Sequence, residues 1–153
     1  MGHYAYQCFK KRKEQPKPKS KPKSNRKNLI SELDRVTSEL VRRQASDSRG
    51  FAYCFTCGVR KPWQELDCGH YRSRRYIQTR FDLDNLRPQC KSCNRYQHGN
   101  LSAYREKLVR ELGELKVQEI ERRPSTKLLE LELENLIQER KQAIAKLPTL
   151  CNN

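Results

Sequence analysis

Acidic and apolar residues are both scarce in this chain of 153 residues. Hydrophobic residues make up only 35%, and no stretch reaches the roughly 18 consecutive apolar residues of a membrane span. The basic N-terminus also lacks an apolar segment of the signal-peptide kind. These absences argue against a membrane-spanning protein, and the length suits one compact domain with extensions rather than two large ones. Asp and Glu number 18 against 33 Lys and Arg, a formal net charge of +15. A charge of that size points to a polyanionic partner, either nucleic acid or an anionic membrane surface. No internal repeat is visible.

The charge is unevenly distributed. Residues 1–28 hold ten Lys/Arg and one Glu, and residues 29–53 balance at four of each. Residues 54–100 carry +5 and residues 101–153 only +1. From Lys10, Lys11, Arg12 and Lys13 onward to Lys27, Lys alternates with Pro. That pattern blocks helix and offers nothing to bury, so residues 1–28 are expected to form a disordered basic arm, able to track phosphates. The near-neutral C-terminal segments present no cationic amphipathic face, which disfavours the membrane surface.

After the arm, Ile30, Leu33, Val36, Leu40 and Val41 recur at helical spacing, with Asn28 a plausible N-cap and Gly50 a stop. An amphipathic helix is expected to about Ala45 within a segment 29–50. Leu101, Tyr104, Leu108, Leu112 and Leu115 mark a second helix. Pro124 interrupts, Ser125 or Thr126 can cap, and Leu129, Leu133, Leu136, Ala143, Ile144 and Leu147 mark a third. These two are expected to pack as a helical hairpin over 101–148, with dimerisation through the last helix as the alternative.

Five of the seven cysteines lie within residues 54–93. Cys54-x-x-Cys57 and Cys90-x-x-Cys93 each present two thiolates, and together they complete a tetrahedral four-cysteine zinc site. Without a secretory signal, metal is a better account of this pattern than disulfides. Such a site has no open position, so the zinc would be structural, holding together a module over residues 51–100 too small to have its own core. Cys8, Cys68 and Cys151 are left as free thiols. The fold class expected is α+β, a small zinc-stapled module of short strands flanked by helices.

Between the knuckles lie Asp67-Cys68-Gly69-His70-Tyr71 and Asp84-Asn85-Leu86-Arg87-Pro88-Gln89, and after them Asn94 and His98. A His on a strand, an Asn on the connecting loop and an Asn or His at a helix start is the order of an HNH-type site. Phosphodiester hydrolysis needs a base to deprotonate water, which a neutral imidazole supplies near pH 7. It also needs a divalent cation at the scissile phosphate, and Asn or Asp oxygens suit Mg²⁺ or Mn²⁺. Taken singly, His70 reads more often as a structural or surface histidine, Asn85 as a turn former, Asn94 as a cap and His98 as a helix-end residue, and it is their order between and after the two knuckles that favours the catalytic reading.

LDRVTSELVRRQASDSRGFAYCFTCG, DCGHYRSR and NLRPQCKSCNRYQHGNLSAYREKL together resemble the NinG/Rap family of phage recombination endonucleases, over roughly residues 29–147. That family belongs to the HNH, or ββα-metal, group, in which a β-hairpin and a helix grip one divalent ion. The resemblance implies a DNA endonuclease acting on D-loops and Holliday junctions, phage-encoded and cytoplasmic in the bacterial host. It also implies His70 as general base and Cys54, Cys57, Cys90 and Cys93 as zinc ligands. Asn85 is similar to the middle Asn that holds the His-bearing loop, and Asn94 to the helix residue that ligates the metal. Many HNH enzymes carry His directly after the last knuckle cysteine. Here Asn94 stands in that place, which leaves His98 or Asp67 as alternative ligands. Family members can also carry a Cys-containing segment near the N-terminus, whereas only Cys8 precedes the arm here.

Arg72, Arg74, Arg75 and Arg80 follow His70 and are candidates to grip phosphates bidentately. Tyr71, Tyr76 and Tyr96 can stack on unpaired bases or serve as core. No segment reads as a major-groove recognition helix, so structure-selective DNA binding is expected, with a homodimer the simplest way to cut both strands of a symmetric junction. The competing readings are a non-catalytic zinc-finger DNA-binding accessory protein and an RNA nuclease.

Overall fold

The computed structural model describes residues 25–149. Helix α1 (Asn25–Gln44) buries Leu33, Val36, Leu40 and Val41, the stripe that the spacing predicts. It begins earlier than Asn28, which lies inside it. Its first turn is held from across the fold, because Asn25 Nδ2 donates to Glu130 Oε2 (3.0 Å) and Arg26 donates to the Leu128 carbonyl. Residues 25–28 therefore belong to the folded domain rather than to the arm. Residues 1–24 and 150–153, with Lys10, Lys11, Arg12, Lys13, Cys8 and Cys151, lie outside the described residues.

Past α1 the Asp47 carboxylate accepts N–H bonds from Arg49 (2.9 Å) and Phe51 (3.0 Å), and Gly50 takes φ +77, turning the chain. Strands β1 (Phe51–Tyr53) and β2 (Arg60–Pro62) pair antiparallel around the first knuckle. Strands β3 (Asp67–His70) and β4 (Leu86–Gln89) form a second antiparallel pair, with Asp67 opposite Gln89 and His70 opposite Leu86. The loop joining them carries the short helix α2 (Ile77–Arg80) and a 3₁₀ turn over Leu83–Asn85. After β4 comes a π-type turn (Ser92–Tyr96), then α3 (Leu101–Leu112), α4 (Glu114–Arg122) and α5 (Glu130–Ala145). The molecule is thus a mixed α+β protein, and none of the helices among the described residues is long and apolar enough to cross a membrane.

The C-terminal helical hairpin expected from the sequence is replaced by a different arrangement. Gly113, at φ +85, ends α3 and starts α4, so the second predicted helix breaks before Leu115, which is 84% exposed. α4 folds back on α3 through Tyr104, Leu108 and Val117. The segment after Pro124 stays non-helical until Leu129, whose N–H is capped by the Glu132 carboxylate rather than by Ser125 or Thr126. α5 then packs on α1, with Leu133 and Ile137 against Leu33, Val36 and Phe81. The buried face of α5 is consequently covered within the chain, which removes it as the dimer seam.

Among the described residues the apolar side chains gather in four small clusters instead of one core. One joins α1 to α5. Another, Val41 with Cys68 and Leu86, seats the β3–β4 pair on α1. A third surrounds the knuckles and includes Cys54, Cys90 and Cys93. Tyr104 anchors the fourth, its ring 5.0 Å from Phe55 and 5.6 Å from Tyr71.

Candidate functional site

The two knuckles converge. The sulfurs of Cys54, Cys57, Cys90 and Cys93 all lie within 4.8 Å of one another, and Cys57 and Cys90 are 3.8 Å apart. Four thiolates about 2.3 Å from a central zinc would stand about 3.8 Å apart, so the quartet can hold a tetrahedral ion. The local backbone explains the convergence. Gly58, at φ +77, lets its N–H return to the Cys54 carbonyl (2.9 Å), and the Phe55 N–H donates to the Pro88 carbonyl (2.8 Å), tying the first knuckle to β4 beside the second. Among the described residues this is the one grouping of three or more His, Cys, Asp or Glu ligand atoms. Cys68 is separate. It is buried between α1 and β4, and burial pushes its thiol up to about 12, so it packs as a small apolar group.

His70 ends β3 and lines a cavity of about 740 Å³ together with Asp67, Asn94, His98, Arg74 and Arg95. Its Nδ1 lies 3.2 Å from the Cys68 carbonyl oxygen and its Nε2 3.1 Å from the Arg80 carbonyl oxygen. Burial, assisted by the Arg74 charge, pushes its pKa down to about 4, so the imidazole is neutral at neutral pH. A neutral ring carries one N–H and can donate to only one of those two carbonyls. The other nitrogen presents its lone pair to an oxygen.

Asp67 starts the same strand. Arg95 grips its carboxylate bidentately (2.7 and 2.8 Å), Asn94 Nδ2 donates to it (3.0 Å), and the Arg95 contact foremost holds its pKa below the usual carboxylate range. Asn94 therefore reaches the cavity from the π-type turn with its side-chain oxygen left over for another partner. His98, Gly99 and Asn100 all adopt positive φ (49°, 87° and 46°), a sharp turn that delivers His98 to the cavity wall. Side-chain oxygens of Asp67 and Asn94 are the donor types Mg²⁺ and Mn²⁺ take. Using Asp67, however, would mean displacing Arg95.

Asn85 stands apart from the cavity. It is fully buried, its Oδ1 accepts from the Arg72 N–H (2.7 Å), and its Nδ2 donates to the Arg72 carbonyl (3.0 Å) and the Thr79 carbonyl (2.8 Å). It staples the start of the β3–β4 loop to its end. Gln89 was missed by sequence reading, because a lone Gln in a strand carries no motif signal. It is fully buried, donating to the Gly99 carbonyl (2.8 Å) and to Thr56 (3.2 Å). A Cβ at Gly69 would fall 2.2 Å from its Oε1, so the glycine preceding His70 is required by the space Gln89 fills.

The four loop arginines divide. Arg72 donates to the Ile120 (2.9 Å) and Arg123 carbonyls at the end of α4 and stacks over Tyr76, while Arg80 pairs with Asp34 of α1. Both guanidinium groups are committed within the fold. Arg74 and Arg75 are exposed and make no ion pair among the described residues, and Arg74 borders His70. Tyr71 is half-buried against Tyr104, Tyr76 is partly exposed, and Tyr96 is 81% exposed.

Comparison with known proteins gives a consistent relationship. Protein ninG of Escherichia phage 933W is 42% identical over 69 residues, which is 44% of this chain and 34% of that protein. Protein ninG of Salmonella phage P22 aligns with the same figures, and that of Escherichia phage lambda is 41% identical over 44% of this chain and 33% of its own. The aligned part thus spans about a third of the length of these relatives. No solved structure matches. The family profile described as Bacteriophage Lambda NinG protein matches residues 5–152, nearly the full length, and the chain belongs to the NinG family.

Proposed function

We propose that this chain is a metal-dependent, structure-selective DNA endonuclease of the HNH type that hydrolyses phosphodiesters in branched recombination intermediates such as D-loops and Holliday junctions. One observation carries the reading. A strand pair followed by a helical turn gathers His70, Asp67, Asn94 and His98 around one cavity, beside a four-cysteine quartet and the unpaired Arg74. A merely structural zinc module has no need of that gathering.

In this reading the cysteine quartet holds zinc, and Asn94 holds Mg²⁺ or Mn²⁺, with Asp67 and His98 as further ligands. The divalent ion supplies charge neutralisation at the scissile phosphate and the leaving oxygen. His70 accepts the proton of the attacking water. Its Nδ1–H bond to the Cys68 carbonyl orients the ring, and Nε2 becomes the acceptor when the Arg80 carbonyl moves away from it. The depressed pKa keeps the ring in its proton-accepting form across the neutral range. Arg74, and not the internally committed Arg72 or Arg80, meets the phosphate, and Arg75 extends the contact along the strand. Asn85 positions the loop without touching the reacting atoms. A homodimer is the simplest assembly for cutting both strands of a symmetric junction, using a surface other than the face of α5 that packs on α1.

The contacts of both His70 nitrogens with backbone carbonyls favour a second reading, a non-catalytic zinc-containing DNA-binding accessory protein in which His70 merely fastens the loop. Cleavage of labelled branched and linear DNA, with and without added Mg²⁺ or Mn²⁺, separates the two when wild type is compared with His70→Ala. Metal-dependent cutting of branched DNA that is lost in His70→Ala supports the endonuclease. No cutting by either protein, with equal junction binding by both, leaves the accessory protein. Preferential cutting of RNA in the same assay would make the substrate RNA.

A further inference from the structure

Adjoining the His70 cavity is a second and larger one, an open groove of about 960 Å³ between the loop after β3, helix α3 and the end of α4. The two share Tyr71, Ser73 and Leu101 as a common wall. Their electrostatics differ. In the His70 cavity Arg74 has no ion-pair partner among the described residues. In the groove, Arg105 is paired with Glu114 and Glu121 (3.0 Å to the latter), Arg110 with Glu106, and Arg72 is bound to the carbonyls ending α4. Beside these paired charges the wall is apolar and aromatic: Tyr71, Tyr76 at 39% exposed, Leu101 at 49% exposed and Val109. Tyr76 is also held as a platform, because the Arg72 guanidinium lies 3.8 Å from its ring centroid.

We infer that this groove receives an unpaired DNA base whose own phosphate backbone runs into the His70 cavity. The inference rests on the endonuclease reading for the position of the backbone and adds how the substrate is chosen. An electrically quiet, aromatic-walled pocket favours a neutral planar group, and the neighbouring cavity with its free arginine favours the phosphate. The shared wall lets one nucleotide occupy both. A paired base keeps its faces inside the duplex stack and must be extruded at a cost of a few kcal/mol, whereas an unpaired base at a fork or junction enters without it. Selectivity for branched DNA then arises from the groove and needs no base-specific hydrogen bonds.

The test uses the full chain without added divalent ion, so that binding is read without turnover. Forked DNA carries 2-aminopurine at the first unpaired position, and a fully paired duplex carries it at the equivalent position. Wild type should change the fluorescence of the fork and not of the duplex, and bind the fork more tightly. Stacking on an aromatic ring contributes about 1–3 kcal/mol per base, so Tyr76→Ala should weaken fork binding about 5- to 150-fold, leave duplex binding unchanged, and be rescued by Tyr76→Phe. Leu101→Asn, at an exposed position on the shared wall, should weaken fork binding alone and does so independently of the Arg72–Tyr76 stack. An unchanged 2-aminopurine signal, or equal loss on fork and duplex in both variants, overturns the inference. If the protein cuts no DNA but discriminates forks through Tyr76, the endonuclease reading fails and the groove stands. If cutting depends on His70 while fork preference ignores both variants, the groove alone fails.

Discussion

Asn85 spends its entire amide on the backbone of the loop that follows His70. Truncation to Ala leaves the part-buried Arg72 N–H and carbonyl and the buried Thr79 carbonyl without their partner. Each such group costs about 1 kcal/mol or more. Asn85→Ala should therefore lower stability by about 2–4 kcal/mol, read from the urea midpoint. His70 makes a prediction of its own. Burial holds its folded pKa at about 4, below the ordinary value of 6.5. Between those values the unfolded chain binds a proton that the folded chain excludes. His70 therefore leaves stability intact above about pH 6.5 and erodes it as pH falls toward 4. Denaturant titrations at pH 7 and pH 5 should show that loss in wild type, and His70→Gln, which cannot titrate, should flatten this part of the profile. Sequence reading reached His70, Asp67 and Asn94 because their motif is local. It gave Arg72 and Arg80 to phosphate because nothing in an arginine's neighbours along the chain discloses the Ile120 carbonyl or Asp34 across the fold.

Among the helices, the pairing of α1 with α5 is the largest departure from expectation. Periodicity shows that a helix has a face to bury and is silent about what covers it. The spacing over residues 101–148 predicts two helices packed together, yet Gly113 divides the first, and the non-helical stretch after Pro124 carries α5 across to α1. Leu133 is fully buried in that seam against Leu33 and Val36. Leu133→Ala should cost about 2–5 kcal/mol through lost burial and the cavity left behind. Thermal unfolding followed by circular dichroism checks this, and a loss below 1 kcal/mol would mean that α5 docks weakly. Because α1 also seats β3 and β4, the same change should reduce protection of the His70 strand in hydrogen exchange.

Among the described residues the apolar clusters are small, and Cys54, Cys90 and Cys93 of the cysteine quartet belong to one of them, so a metal held there would stabilise the fold directly. Metal analysis should find about one tightly held zinc per chain, and stripping it with a chelator should collapse the cooperative unfolding transition. The arm enters at this level too. Eight Lys/Arg lie in residues 10–23, ahead of the first residue of α1. Deleting residues 1–24 should weaken DNA binding and flatten its dependence on salt, while cleavage at low salt and saturating protein persists. Deleting through residue 28 should in addition destabilise the fold, because Asn25 and Arg26 are tied to the start of α5.

The knuckle spacing, the D-x-G-H and the basic character of the arm and module are all legible in the linear order of residues. Metal geometry, strand motifs and charge are set by neighbours a few positions apart. The helix of residues 25–44 was legible for the same reason, to within one residue at its C-terminal end. Which helix covers which, and which arginines stay free for a ligand, depend on contacts between residues 46 to 105 positions apart. So does the second cavity beside His70, whose walls come from three separate segments. Local physics yields a basic module with a cysteine quartet able to hold a metal ion, and long-range packing alone determines which side chains that module leaves on its surface.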